Sequence, residues 1–133
     1  MSADRGAALA ERFAARFGRR AEVLARAPGR VNLIGEHTDY NGGLALPTTL
    51  DRSVHVALRR RADSAVRAAT GNAQTRFQAG EMPEPSAPAW ASFVAGAVTL
   101  TQEELGARSG LDLFFRGDVP VGAGVSSSAA VEM

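Results

Sequence analysis

No cysteine occurs in the 133 residues, which excludes disulfides, thiolate metal sites and cysteine nucleophiles. Lysine is absent as well, so all 15 basic residues are arginines. The common P-loop requires a lysine ahead of its Ser or Thr and is therefore excluded. No apolar stretch reaches the roughly 20 residues of a membrane helix. The N-terminal region is interrupted by arginines and a glutamate and has no signal-peptide core. A soluble cytoplasmic protein without a membrane partner is expected. Long blocks of like charge are also missing, and the net charge is +1, so nothing electrostatic calls for nucleic acid. The single basic run, Arg59, Arg60 and Arg61, reads as a solvated strand end. What remains is a chain 45% hydrophobic, within the globular range and long enough for one domain with a modest core.

Hydrophobic spacing gives the organisation. Leu9, Phe13 and Phe17 recur every fourth position with Arg12, Arg16 and Arg19 opposite, predicting an amphipathic helix over residues 4–18 that stops at Gly18, with Ser2 or Asp4 as its N-cap. A strand starts over residues 23–27, and Pro28 and Gly29 are expected to break it before the apolar residues 31–34. Val54, Val56 and Leu58 alternate with Ser53, His55 and Ala57, the pattern of a half-buried strand. Residues 64–69 and 75–78 read as a hairpin turning at Gly71 and Asn72. Residues 80–88 form an irregular crossing, residues 90–100 a helix, and Leu111, Leu113 and Phe115 a strand running into Gly117 and Asp118. The order predicts an α+β domain rather than regular βαβ alternation.

Two segments carry chemistry. Residues 120–130 follow a predicted strand and open a helix, with Gly122 and Gly124 ahead of Ser126, Ser127 and Ser128. Glycines let backbone amides approach an anion, the helix N-terminus supplies unpaired N–H groups, and serine hydroxyls donate to phosphate or offer Mg²⁺ a neutral oxygen. The plain alternative is a Gly-rich turn with serine caps. A dinucleotide fingerprint would need a glycine at Ser127, and a serine-hydrolase elbow would need one after the serines.

The second segment places Glu36, His37, Thr38 and Asp39 directly after an apolar strand. Carboxylates and an imidazole supply acceptors and donors in a small space, which suits a ligand covered in hydroxyls. Consecutive positions do not give the facing geometry of a transition-metal site. The plain alternative is a polar turn, with Asp39 in an Asx-turn and His37 at the surface.

Together the two segments resemble a known family. Residues 27–47 are similar to the galactokinase signature through Gly29, Arg30, Val31, Asn32, Leu33, Ile34, Gly35, Glu36, His37, Thr38, Asp39 and Tyr40. Residues 118–130 resemble the nucleotide loop of the galactokinase, homoserine kinase, mevalonate kinase and phosphomevalonate kinase superfamily. The resemblance covers most of this chain but only the leading part of a family member.

It implies the truncated α+β N-terminal domain of the galactokinase-type sugar kinase fold, with ATP and Mg²⁺ as cofactors, galactose as the small-molecule partner, and a monomer in the full-length form. The implied reaction is phosphorylation of the C1 hydroxyl of α-D-galactose. By the same resemblance Arg30 is the transition-state stabiliser, Glu36, His37 and Asp39 bind the sugar hydroxyls, and Thr38 lies within that lining. Gly122, Ala123, Gly124, Val125, Ser126, Ser127 and Ser128 cradle the nucleotide phosphates, and Ser128 also meets Mg²⁺. The family's catalytic aspartate, second acidic Mg²⁺ contact, sugar-side tyrosine and third Gly-rich motif have no counterpart here, so the chain alone is expected to be inactive. Asp118 precedes the loop and is no substitute base. Alternatives are a kinase for a related sugar such as N-acetylgalactosamine or arabinose, and a non-catalytic galactose-sensing regulator. The intact stretch from Ser126 to Ala130 favours catalytic ancestry.

Overall fold

The computed structural model describes residues 3–106, 108–119 and 130–131. Helix α1 (Ala3–Phe17) ends where Gly18 turns left-handed, at φ 70°, its N–H donating to Ala14 O at 2.8 Å. That is the C-terminal stop its glycine predicts. Asp4 lies inside the first turn rather than at the cap, because the helix starts one residue earlier; Ser2 falls outside the described residues.

Strands β1 (Val23–Ile34), β2 (Leu46–Arg60), β3 (Ala65–Thr70), β4 (Ala73–Gln78) and β5 (Leu111–Gly117) form a sheet in the order β1-β2-β5-β3-β4. Neighbours pair antiparallel except β3 with β5. Pro28 and Gly29 do not break β1 as expected. It is an edge strand, where proline's missing N–H costs no ladder bond, and the pairing slips between Pro28 and Arg30. Gly71 turns the β3–β4 hairpin at φ 55°.

Helix α2 (Trp90–Glu104) covers one face of the sheet, packing Val94, Ala95 and Val98 on Val54, Val66, Ala68, Phe77 and Phe115. Helix α1 covers the other, packing Leu9 and Phe13 on Ala57, Ala69 and Phe114. Phe13 is fully buried, a contribution of about 1.5–3 kcal/mol from removing its ring from water. The middle of β2 is thus covered on both sides: Ser53, Val54, His55 and Ala57 are all buried. The half-buried reading fails because alternating polar residues there face a helix instead of solvent.

The arginine run also departs from expectation. Arg61 reaches back to Asp63 and to Asp112, and Arg67 clamps Asp112 with two hydrogen bonds of 2.6 and 2.8 Å. Asp112 is only 2% exposed, so a buried carboxylate between guanidiniums organises this end of the sheet. No helix among the described residues is long and apolar enough to cross a membrane.

Candidate functional site

Ile34 pairs with Leu46, so residues 35–45 form a connection whose two ends are pinned by β1 and β2. Gly35 leaves the strand at φ 98°, and a Cβ there would strike the Leu44 carbonyl and sit 2.6 Å from the Ala45 Cα. Thr38 is the hub. Its N–H donates to Gly35 O at 3.2 Å, and its carbonyl accepts from Asn41 N at 3.1 Å and Gly43 N at 2.7 Å. Its hydroxyl lies 2.7 Å from Gly35 O and 3.0 Å from Leu44 O, so its single proton is spent inside the loop. A Cβ on Gly43 would fall 2.8 Å from the Thr38 Cβ, which closes the loop tightly over that side chain.

His37 has φ 66°, the left-handed value for which a non-glycine residue costs about 1–3 kcal/mol. Among the described residues no other non-glycine adopts it. Two contacts over-determine it. Asn41 Nδ2 donates to His37 O at 2.7 Å, and His37 Nδ1 meets the Tyr40 hydroxyl at 2.5 Å with the rings edge to face. Tyr40 was not singled out by composition; its position three residues after the histidine across the 3₁₀ turn (Asp39–Asn41) was the available clue. With Nδ1 engaged, Nε2 is the ring atom left for a ligand. Glu36 and His37 are both exposed.

The structure therefore gathers Glu36, His37, Thr38 and Asp39 into one braced loop, with Asp39 opening the 3₁₀ turn. Arg30 stands on β1, opposite Thr49 and just past the first register slip, where a bulge re-aims side chains. Gly122, Ala123, Gly124, Val125, Ser126, Ser127 and Ser128 lie outside the described residues. Their flanks do not. Val119 and the helical Ala130 are both buried in the core beneath α2.

Register places the exit of β5 beside the middle of β2 and Arg30 opposite a point farther along β2. Gly117 pairs with Val54, and β2 continues away from β5 to Thr49, opposite Arg30. The five residues of strand between Val54 and Thr49 span roughly 17 Å at about 3.4 Å each. Asp118, at the exit of β5, is locked in place. Its carboxylate accepts from Ser53 N at 2.7 Å and pairs with Arg5 at 3.2 Å and Arg52 at 3.8 Å. The Ser53 N–H first, and the two arginines after it, hold its pKa below the ordinary carboxylate value. Sequence reading did not anticipate this lock, since Ser53 and Asp118 are joined only by the β2–β5 pairing.

Residues 11–60 match the galactokinase galactose-binding signature, and residues 92–133 match the GHMP kinases N terminal domain. The fold superposes on Lactococcus lactis galactokinase complexed with galactose at a TM-score of 0.79 and 33% identity, over 95% of this chain and 34% of that one. Methanococcus jannaschii mevalonate kinase shares the fold at a TM-score of 0.68 and 18% identity, over 83% of this chain and 37% of that one. The architecture is that of a GHMP kinase N-terminal domain.

Curated galactokinases narrow the class. The Roseiflexus protein is 45% identical over 94% of this chain and 32% of its own length, and the Actinobacillus pleuropneumoniae serotype 5b protein 40% identical over 92% and 33%. The chain belongs to the galactokinase family. It spans about a third of the length of the curated relatives it matches.

Proposed function

We propose that this chain forms the sugar-recognition and nucleotide-phosphate portion of an enzyme that transfers the γ-phosphoryl group of ATP to the C1 hydroxyl of α-D-galactose. The observation that carries the reading is the braced loop with its left-handed His37. Strain of this kind persists where surrounding contacts enforce it and marks functional positions. Glu36, His37 and Asp39 bind sugar hydroxyls, and Thr38 serves as the knot that holds them in register. Arg30 balances charge spreading over the transferring phosphoryl oxygens, a task suited to a fixed, always-charged guanidinium. Gly122, Ala123, Gly124, Val125, Ser126, Ser127 and Ser128 receive the phosphates.

The residues present limit what this chain does alone. Asp112 is clamped by Arg61 and Arg67, and Asp118 is held by Ser53, Arg5 and Arg52, so neither is placed to take the C1 proton. Among the described residues no cluster of three acidic or histidine side chains comes together. They do not fit a Mg²⁺ site by themselves, and Ser128 is the residue to which that ion is assigned. Transfer by this chain alone is therefore not expected.

The chain carries two histidines, which makes the sugar site directly observable. Galactose should shift the His37 imidazole resonance saturably in a proton NMR titration, with glucose and arabinose weaker. A His37 signal that stays still at saturating galactose overturns the reading.

A further inference from the structure

His55 lies in the middle of β2, 9% exposed, and neither ring nitrogen has a hydrogen-bond partner among the described residues. Buried polar atoms are nearly always met by a partner. The cross-strand neighbours of His55 are Arg26 on β1 and Arg116 on β5, each directly opposite it. Three basic side chains in one row across adjacent strands repel one another once the imidazole is charged. Helix α1 packs over the same face and brings Arg5 and Arg12 to the rim. Between helix and sheet lies a solvent-open cleft of about 320 Å³, lined by Arg5, Arg12, His55, Arg116 and Asp118 among others.

Opposing charge is scarce here. The Asp118 carboxylate is spent on Ser53 N, Arg5 and Arg52. Arg26 donates from Nε to Ser53 Oγ at 2.6 Å and lies 4.0 Å from the fully exposed Asp51. Arg12 and Arg116 therefore face the cleft with no acidic side chain of their own in its lining, above an imidazole with unmet donor capacity.

We infer that this cleft binds a small phosphate-type oxyanion, gripped by Arg116 and Arg12 from the rim and by the His55 ring from the floor. An oxyanion supplies what the site lacks: several acceptor oxygens, negative charge, and a size within the cleft. A neutral sugar supplies no charge, and a cation is repelled. The oxyanion is either free phosphate or the terminal group of a phosphorylated small molecule. Burial first, and Arg26 next, depress the His55 pKa below its ordinary value; a bound anion acts in the opposite direction.

The test is a proton NMR titration of the 133-residue chain with inorganic phosphate at constant ionic strength, chloride replacing phosphate in the control. Phosphate should shift the His55 resonance saturably and move its titration midpoint to higher pH, leaving His37 unmoved. Arg116→Gln and Arg12→Gln, both at exposed rim positions, should each weaken the effect at least fivefold with an unchanged circular dichroism spectrum. A parallel titration with galactose 1-phosphate distinguishes the sources: tighter binding than phosphate assigns the site to an ester, and equal or weaker binding to the free ion. Phosphate that leaves the His55 signal still, or binding that survives both substitutions undiminished, places the anion elsewhere, on the glycine-serine loop for example, and overturns the inference.

Discussion

Asn41 donates its side-chain amide to the backbone carbonyl of His37 at 2.7 Å, so the residue that ends the 3₁₀ turn holds the left-handed residue before it. The hydrogen bond forms while His37 holds φ 66°. Asn41→Ala should therefore release His37 toward ordinary backbone values. Both groups are exposed, so the unfolding midpoint should move little while galactose affinity falls several-fold. Thermal unfolding and calorimetry on the same samples check the split. A large stability loss with unchanged affinity would make the contact merely structural.

Thr38→Val removes the hydroxyl that bridges Gly35 O and Leu44 O while keeping the branched shape. A lost hydrogen bond of this kind costs about 0.5–1.5 kcal/mol. Because the loop ends are pinned by Ile34 and Leu46, the cost should appear as local opening. Hydrogen exchange at the Gly43 amide should accelerate while that of the β2–β5 ladder stays unchanged. Unaltered exchange at Gly43 would remove Thr38 from the centre of the loop.

Much of this architecture was readable from the residues, and the reasons are local. Phe13 and Leu9 at helical spacing, Gly18 as a stop and Gly71 in a two-residue turn are each decided within a few positions. The misreadings concern tertiary placement. Pro28 punctuates a strand in most settings, yet here it lies on an edge where its missing donor is harmless. Ser53 and His55 alternate as solvent-facing residues do, but α1 returns to cover them. The partners of Asp112 and Asp118 lie dozens of residues away, and only the sheet order brings them together. At the site, a motif of consecutive polar residues identified the loop, whereas the in-loop task of Thr38 depended on backbone geometry that no spacing rule reveals.

Asp118 gives the chain a pH dependence. Its folded-state pKa lies below the ordinary value of 3.8, because Ser53 N–H and then Arg5 and Arg52 favour the carboxylate. The stabilisation is therefore present above that ordinary value and is lost as pH falls through the lower, folded-state one. Asp118→Asn should be less stable than wild type at neutral pH, with the gap narrowing toward pH values below the ordinary carboxylate range. Urea unfolding across that range follows it, and a gap independent of pH would contradict the assignment.

Asp112→Ala takes the carboxylate away from Arg67 and leaves Arg61 with Asp63 alone. Both arginines are partly exposed and can be rehydrated, so the loss is that of hydrogen bonds to a charged group, about 1.5–3 kcal/mol, still a sizeable share of the stability of a domain this size. Desolvation pushes the Asp112 pKa up, but hydrogen bonds from Arg67 and Arg61 outweigh it and leave the group below its ordinary value. Chemical denaturation should show a reduced midpoint. A loss below 1 kcal/mol would mean that the clamp contributes little.

The central claim is that residues 35–45 bind galactose. Calorimetric titration of galactose into wild type and Glu36→Ala, each followed by an ATP analogue, tests it most directly. Losing a charged acceptor for a sugar hydroxyl costs roughly 1.5–3 kcal/mol, or about ten- to a hundred-fold in affinity. The account predicts that weakening for galactose with nucleotide affinity unchanged. Equal galactose affinity in the two proteins would contradict it.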